Sequence, residues 1–276
     1  MTRFLIVVAI ISIISCCTLS IPCSSLAEDT TDGFLARQYT DSAGNVMPYR
    51  LFIPQSYDRA HSYPLIIYLH GGGGNGTDNL KQISGGNTNG SHVWTYEKAQ
   101  REHPAFVVAP QAPEGTTWGG PELAESSPEA RMMLEIVGML EREFNIDKSR
   151  SYLTGQSLGG FGTWDMIIRH PNLFAAAVPL CASGTIKEFP FRKVYAAAEF
   201  KKIKSLPIWV FQGADDTSVP VSGPRQTVAT LRKLGSNVKY TEYPGVGHNV
   251  WEHAYVEYGL IEWLFAQHSP DFRKKP

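Results

Sequence analysis

The sequence predicts a three-layer α/β/α domain built on a mostly parallel sheet, with antiparallel strands at its N-terminal edge. Two observations support this fold class. From residue 64 onward, short apolar runs alternate with helix-like stretches, and runs that are apolar on both faces are typical of buried parallel strands. Before that point, residues 34–40 and 46–53 have the character of two strands joined by a turn. We therefore expect helices on both faces of one sheet, with the active residues in loops at the carboxyl ends of strands.

The later elements follow in order along the chain. Strands are predicted at residues 65–69, 106–109, 151–154, 176–180, 208–211 and 238–243. Ser127 and Pro128 have the pattern of a helix start, and apolar residues at helical spacing continue to Phe144. Further helices are predicted over residues 161–169, 222–234 and 252–267.

Length and charge limit the function classes. The chain has 276 residues, of which 18% are charged, and its formal net charge is −1. It is long enough for one large domain with a deep core, and no internal repeat or charge block divides it. A nucleic acid is not an expected partner, because the sequence has no basic excess.

The first 27 residues have the features of a secretory leader. Arg3 precedes an uncharged apolar run at residues 4–14, which is too short to span a bilayer but suits a signal peptide. A small-x-small site ends at Ala27, which predicts a mature domain of residues 28–276. Residues 13–16 offer an alternative, because they resemble a lipoprotein box in which Cys16 would carry a lipid. The protein is therefore expected to be exported, either secreted or periplasmic, with a lipid anchor as the open alternative.

Three of the four cysteines lie in this leader. Cleavage after Ala27 would leave Cys181 alone, so no disulfide could form within one mature chain. Cys181 falls in an apolar run, and we expect it to be a small buried side chain.

Residues 155–159 fit the G-x-S-x-G pattern and lie between a predicted strand and a predicted helix. A serine on a sharp strand-to-helix turn has strained backbone angles, and the chain beside it passes close enough to require glycine. Ser157 is therefore the candidate nucleophile of a serine hydrolase. The amide of Leu158, at the helix start, would point to where an oxyanion forms.

A serine nucleophile needs a base, and the base needs an orienting carboxylate. Asp216 follows the predicted strand at 208–211, and His248 lies in a glycine-rich loop after the strand at 238–243. The spacing fits two strand-plus-helix units between Ser157 and Asp216 and one unit between Asp216 and His248. Asp215 competes with Asp216 for the carboxylate role, and the distance to the following Val-Pro pair favours Asp216.

Four glycines follow His70 directly. A loop without side chains at this place would let a backbone amide approach the acyl oxygen, and Gly72 is the predicted second oxyanion donor beside Leu158. His70 is expected to brace the loop by hydrogen bonding.

The same loop also satisfies G-x-G-x-x-G at Gly71, Gly73 and Gly76, which raises the alternative of a dinucleotide-binding oxidoreductase. A dinucleotide site needs an apolar-periodic helix at once, whereas residues 75–91 are polar and rich in glycine. We expect no cofactor. No metal site is expected either, because the sequence lacks the usual zinc and calcium ligand spacings.

Four motifs in this order resemble those of the α/β-hydrolase superfamily. They are Leu-His-Gly-Gly-Gly-Gly at 69–74, Gly-Gln-Ser-Leu-Gly-Gly at 155–160, Gly-Ala-Asp-Asp-Thr-Ser-Val-Pro at 213–220 and Tyr-Pro-Gly-Val-Gly-His at 243–248. The chain is most similar to the carboxylesterase, phospholipase and dienelactone-hydrolase-like group, which includes exported esterases and peptidase-type members. The resemblance covers residues 34–267 and implies a hydrolase fold with a Ser157, His248 and Asp216 triad.

These residues predict hydrolysis of carboxylic esters through an acyl-enzyme. Residues 183–205 are too few and too rich in lysine for a large lid, so we expect an open site for short-chain or polysaccharide-linked acetyl or feruloyl esters. Trp118 and Gln156 are the candidate substrate-binding residues, with simple packing as the alternative for Trp118. A serine peptidase of the same fold and a non-catalytic sugar-binding module also remain open.

Overall fold

Nine strands form one mixed sheet in the part of the chain that the computed structural model describes, residues 29–120, 123–184 and 195–269. The strands are β1 (Thr30–Thr31), β2 (Phe34–Thr40), β3 (Val46–Phe52), β4 (Tyr63–Leu69), β5 (Phe106–Pro110), β6 (Ile146–Gln156), β7 (Ala176–Leu180), β8 (Trp209–Gly213) and β9 (Lys239–Tyr243). Their order in the sheet is β1-β2-β3-β5-β4-β6-β7-β8-β9. Three neighbouring pairs are antiparallel: β1–β2, β2–β3 and β3–β5. The other five are parallel: β5–β4, β4–β6, β6–β7, β7–β8 and β8–β9. The predicted fold class is therefore confirmed.

Eight α-helices connect or follow these strands in the described residues. They are α1 (Thr88–His92), α2 (Glu97–Glu102), α3 (Pro128–Glu143), α4 (Leu158–Arg169), α5 (Ala197–Lys202), α6 (Ser222–Lys233), α7 (Trp251–Ala254) and α8 (Leu260–Phe265). Helix α3 begins as predicted, because Ser127 Oγ accepts a hydrogen bond of 3.1 Å from the Ala130 amide and Pro128 occupies the first helical position.

The core lies on both faces of the sheet. Alternate residues of β4 face opposite sides, with Leu65 and Ile67 in one apolar cluster and Ile66 in the other. Helices α3, α4, α5 and α6 contribute to the first cluster, whereas α7 and α8 contribute to the second. This double burial explains why the central strands are apolar without interruption.

The prediction of one continuous helix over residues 252–267 was wrong. The structure has two short helices, α7 and α8, separated by Gly259, whose φ of 78° is left-handed and cannot continue a helix. The short helices α1, α2 and α5 were not predicted. None of the helices in the described ranges has the length and apolar composition needed to cross a bilayer.

Two predictions concern residues that lie outside the described ranges. The leader at residues 1–27, including Cys16, is one of them. The other is the segment 183–205 that bears on a lid, of which residues 185–194 are not described.

Candidate active site

Ser157 stands on a strained turn between β6 and α4. Its φ is 52° and its ψ is −117°, in a region that L residues with side chains rarely adopt. Neighbouring glycines allow the turn because the backbone is crowded there. A Cβ at Gly159 would lie 1.9 Å from the Leu69 carbonyl oxygen, and one at Gly160 would lie 2.3 Å from the Leu180 carbonyl oxygen. The predicted steric reason for the glycines is thus present in the structure.

The three predicted polar side chains meet at the carboxyl ends of β6, β8 and β9. His248 Nε2 lies 2.9 Å from Ser157 Oγ, and His248 Nδ1 lies 2.8 Å from Asp216 Oδ2. The Asp216 side chain is fully buried, whereas the His248 side chain is 26% exposed. Asp215 is exposed, so burial distinguishes the two neighbouring carboxylates.

Asp216 is held as an anion. Burial opposes its ionisation, but hydrogen bonds from His248 and from the amides of Val219 and Ser218 outweigh burial and hold the pKa of this carboxyl below its ordinary value. An ionised carboxylate only accepts hydrogen bonds, so His248 Nδ1 carries a proton and donates a hydrogen bond to Asp216. The lone pair of a neutral His248 ring is then on Nε2 and accepts the hydrogen bond from the Ser157 hydroxyl.

The loops that carry Asp216 and His248 are fastened to each other. The Asp215 amide donates to the Val246 carbonyl at 2.9 Å. A Cβ at Gly213 would lie 2.2 Å from the Gly247 carbonyl oxygen, so the two loops touch through their backbones. This contact sets the acid and the imidazole at a fixed separation.

The glycine loop after β4 is braced by His70, as expected. His70 Nδ1 lies 2.7 Å from the Gly71 carbonyl oxygen, and His70 Nε2 accepts a hydrogen bond of 3.0 Å from the Ala112 amide. Burial lowers the pKa of His70 to about 4, so the ring is neutral at physiological pH and Nδ1 is the donor. Gly72 follows this braced position and lines the same cavity as Leu158.

Cys181 is fully buried below the turn, as predicted, and its Sγ accepts a hydrogen bond of 3.2 Å from the Ser157 amide. Burial raises the pKa of this thiol well above its ordinary value. Its place explains its residue type, since a small apolar side chain fits under the turn.

Two cavities meet at Ser157. One has a volume of about 690 Å³ and is lined by the apolar side chains Leu158, Phe161 and Val219 together with a loop at residues 114–117. The other has a volume of about 540 Å³ and is lined by residues 84–87, Gln156 and Trp251. Gly72, Gly73, Lys81, Ser157 and His248 line both. The Ser157 side chain therefore borders a cavity on each of two sides.

Comparison with known proteins assigns the chain to a family. The model of the Esterase family matches residues 40–257. The chain belongs to this family. The prediction of an esterase-type member of the α/β-hydrolase superfamily is confirmed.

Three proteins similar to this Esterase family member illustrate its relationships. A solved structure described as a thermostable esterase is 38% identical, with a TM-score of 0.78 and a match that covers 86% of this chain and 64% of that chain. “Probable feruloyl esterase C” of Aspergillus terreus is 30% identical over 145 residues, 51% of this chain and 48% of the relative. “Poly(3-hydroxyalkanoate) depolymerase C” of Paucimonas lemoignei is 34% identical over 92 residues, 31% of this chain and 22% of the relative. The chain spans less than half the length of the curated relatives it matches.

The two predicted substrate-binding residues have different positions in this family member. Trp118 is 1% exposed and packs behind the glycine loop, where its Nε1 donates to the His70 carbonyl at 3.2 Å. Trp118 lines neither of the two cavities that meet at Ser157, and its contacts are those of the packing alternative. Gln156 borders the smaller cavity but is 2% exposed, and its amide nitrogen donates to the Gly86 carbonyl at 2.8 Å.

Sequence reasoning missed Gln212, which also holds Asp216. Gln212 Nε2 donates to Asp216 Oδ2 at 3.0 Å and to the Val219 carbonyl at 3.0 Å. A signal was present, because a polar residue at the end of an apolar strand and just before a glycine usually has a specific partner.

In the described residues, no group of three or more His, Cys, Asp or Glu side chains is arranged to hold a metal ion.

Proposed function

We propose that this protein is a serine esterase that hydrolyses carboxylic esters through an acyl-enzyme, with no cofactor. Ser157 is the nucleophile, His248 the general base and acid, and Asp216 the residue that orients the imidazole. The observation that carries the proposal is the continuous hydrogen-bond relay from Ser157 Oγ through both nitrogens of His248 to a buried Asp216. Membership of the Esterase family supports the same conclusion.

Each step of the reaction has a group in place. His248 Nε2 takes the Ser157 proton as Oγ attacks the ester carbonyl, and the imidazolium that forms is stabilised by the Asp216 anion. The amides of Gly72 and Leu158 bind the oxyanion of the tetrahedral intermediate. Leu158 is the first residue of α4, so its N–H has no acceptor inside the helix. His248 then gives its proton to the leaving alcohol, and a water molecule repeats the sequence to release the acid.

The substrates we propose are short-chain esters or acetyl- and feruloyl-type esters attached to a polysaccharide. A cavity on each side of Ser157 accommodates an ester with a sizeable group on either side of the scissile bond. Trp251 packs edge-on to His248 with ring centroids 5.6 Å apart. Because His248 protonates the leaving oxygen, the alcohol half belongs on the side of Trp251 and the acyl half beside Phe161 and Leu158. The names of the two curated relatives described above support this proposal, since one is a probable feruloyl esterase and the other a poly(3-hydroxyalkanoate) depolymerase.

The test compares the wild type with Ser157→Ala on p-nitrophenyl acetate and on acetyl, butyryl, feruloyl and peptide substrates. Removal of the nucleophile should lower kcat by about 10⁴ to 10⁶ without loss of fold. Hydrolysis by Ser157→Ala near the wild-type rate would exclude Ser157. Faster cleavage of small amides than of matched esters would make the protein a peptidase, and failure of a fluorophosphonate to label Ser157 would favour a sugar-binding module.

We also propose that the protein is exported after removal of its leader. The apolar run that follows Arg3 supports export, and the lipoprotein box offers a lipid anchor on Cys16 as the alternative. The intact mass of the mature protein separates the two, since cleavage after Ala27 and acylation of Cys16 give different N-termini. An uncleaved chain in the cytoplasm would exclude both.

A further inference from the structure

Three buried polar side chains connect the glycine loop to the turn that carries Ser157. They are Tyr68 on β4, Asn87 just before α1 and Gln156 at the end of β6, and none is more than 4% exposed. The Tyr68 hydroxyl lies 3.1 Å from Asn87 Oδ1 and 3.1 Å from Gln156 Oε1. Asn87 Oδ1 also accepts a hydrogen bond of 2.9 Å from the Gly71 amide.

The orientation of both carboxamides is fixed by their other ends. Asn87 Nδ2 donates to the Lys81 carbonyl at 2.9 Å, and Gln156 Nε2 donates to the Gly86 carbonyl at 2.8 Å. Their oxygens must therefore face Tyr68. Burial raises the pKa of Tyr68 well above its ordinary value, so its hydroxyl stays protonated and is shared between the two oxygens.

Gly71 is the position where this network acts on the oxyanion site. The peptide unit before Gly71 is held by Asn87 through the Gly71 N–H. The peptide unit after it is held through the Gly71 carbonyl, by His70 and by the Gly74 amide, which donates to that carbonyl at 2.8 Å. Because φ and ψ of Gly71 are the rotations between these two planar units, holding both units fixes both angles. The second unit also contains the Gly72 N–H, which points opposite to the Gly71 carbonyl in a trans peptide.

Packing alone would not hold this loop. A Cβ placed on Gly72 or on Gly73 would have no atom within 4 Å, so open space surrounds the loop on that side. Glycine backbone is also the most conformationally free in a protein. The direction of the Gly72 N–H therefore depends on the hydrogen bonds at Gly71.

We propose that Asn87 is a positioning residue that aims the Gly72 N–H at the oxyanion, with Tyr68 and Gln156 linking it to the turn at Ser157. This inference rests on the proposed function, because it assigns Asn87 a role in the same reaction. Asn87 borders the smaller cavity, but its Oδ1 accepts hydrogen bonds from the Gly71 amide and the Tyr68 hydroxyl. It acts through Gly71, and its effect belongs to transition-state stabilisation and not to substrate binding.

The experiment compares Asn87→Ala with Asn87→Asp, which keeps an oxygen acceptor for the Gly71 N–H. Asn87→Ala should lower kcat for p-nitrophenyl acetate by about 10- to 100-fold, since full loss of one oxyanion donor costs about 10² to 10³ and a displacement of about 1 Å costs up to about 10². KM should stay within about threefold, because acylation and deacylation use the same oxyanion donors. Asn87→Asp should recover part of the lost kcat, because it keeps the acceptor for the Gly71 N–H but loses the donor to the Lys81 carbonyl.

Inhibition by trifluoroacetophenone provides a readout that a purely structural role would not change. This ketone forms a tetrahedral adduct with a serine, so its Ki should rise in Asn87→Ala by the same factor as kcat/KM falls. Gln100→Ala is the matched control, because Gln100 ties the backbones of Trp94 and Ala105 by its carboxamide away from Ser157. It should lower thermal stability with kcat unchanged.

The outcomes separate this inference from the proposed function. A wild type without ester hydrolysis would overturn the proposed function itself. A wild type that is active and depends on Ser157, with a folded Asn87→Ala variant whose kcat is within threefold of it, would overturn only the role of Asn87. An equal fall of kcat in Gln100→Ala would also overturn it. If Asn87→Ala does not fold, Asn87→Ser replaces it, since its hydroxyl is too short to reach the Gly71 N–H and the same fall is expected.

Discussion

Replacing Asp216 by asparagine tests whether the carboxylate selects the tautomer of His248. The two backbone amides of Ser218 and Val219 each donate to Asp216 Oδ1 at 2.9 Å, so the oxygen of a new carboxamide must occupy the Oδ1 position. Its NH₂ group then takes the place of Oδ2 and faces His248 Nδ1. Two donors cannot share one proton site, so the imidazole must place its proton on Nε2, where it points at Ser157 Oγ.

The expected cost follows from that change of tautomer. With a proton on Nε2 the ring cannot accept the Ser157 proton, and loss of this function costs about 10⁴ in kcat/KM, or about 5 kcal/mol of transition-state stabilisation. The fold should survive. The two amide hydrogen bonds at the Oδ1 position remain in the variant, and Gln212 Nε2 keeps its hydrogen bond to the Val219 carbonyl.

The assay is hydrolysis of p-nitrophenyl acetate at pH 8, with near-ultraviolet circular dichroism as the measure of native packing. Asp215→Asn, a change at the exposed neighbour in the same loop, is the matched control and should leave kcat/KM within twofold of the wild type. If a natively folded Asp216→Asn variant keeps more than about a tenth of wild-type activity, the tautomer argument is refuted.

Three further predictions follow from individual contacts. The pKa of His70 is about 4 in the folded protein against an ordinary value of 6.5, so the unfolded chain binds more protons between these values and stability falls as the pH drops from about 6.5 to about 4. Denaturant titrations should show a loss of about 3 kcal/mol over this range that is absent in His70→Asn, and equal slopes would contradict it. Gly159→Ala should not yield folded protein because its Cβ would lie 1.9 Å from the Leu69 carbonyl oxygen, whereas Gly72→Ala, with open space around it, should melt within about 4 °C of the wild type. Trp251→Ala should lower kcat/KM about tenfold for a 2-naphthyl ester but little for the ethyl ester of the same acid, and an equal loss for both would place the alcohol half elsewhere.

The strands and the nucleophile turn could be predicted because their causes are local in sequence. Strand β2 begins and ends at the predicted residues, since its apolar pattern is bounded by turn-forming residues. The turn at Ser157 requires glycine at fixed offsets, so its geometry is written directly in five consecutive residues. The meeting of Ser157, Asp216 and His248 followed from the spacing of strand-plus-helix units, because parallel strands end at one edge of the sheet.

The supporting residues could not be predicted because their partners are distant along the chain. Trp118 lies in a glycine-containing loop that pattern alone cannot place inside or outside. Its burial follows from contacts with His70 and Gly162, which are distant along the chain. Asn87 lies in a polar stretch without periodicity, and its partner Gly71 is 16 residues away. A side chain whose role is a single buried hydrogen bond leaves no periodic signal in the sequence.

The contacts divide the proposed catalytic machinery into two parts with different chemical tasks. The turn at Ser157 and the glycine loop, joined through Tyr68, Asn87 and Gln156, hold the attacking oxygen and the oxyanion donors. The loops that carry Asp216 and His248, joined by the backbone hydrogen bond from Asp215 to Val246, hold the groups that move the proton. Between the reacting groups of the two parts lies the hydrogen bond of 2.9 Å between Ser157 and His248, along which the hydroxyl proton moves from Oγ to Nε2 in the proposed reaction. Because each part is fixed internally by bonds that do not involve the substrate, the site is preorganised before an ester enters, which is the condition under which electrostatic stabilisation of a transition state needs no reorganisation.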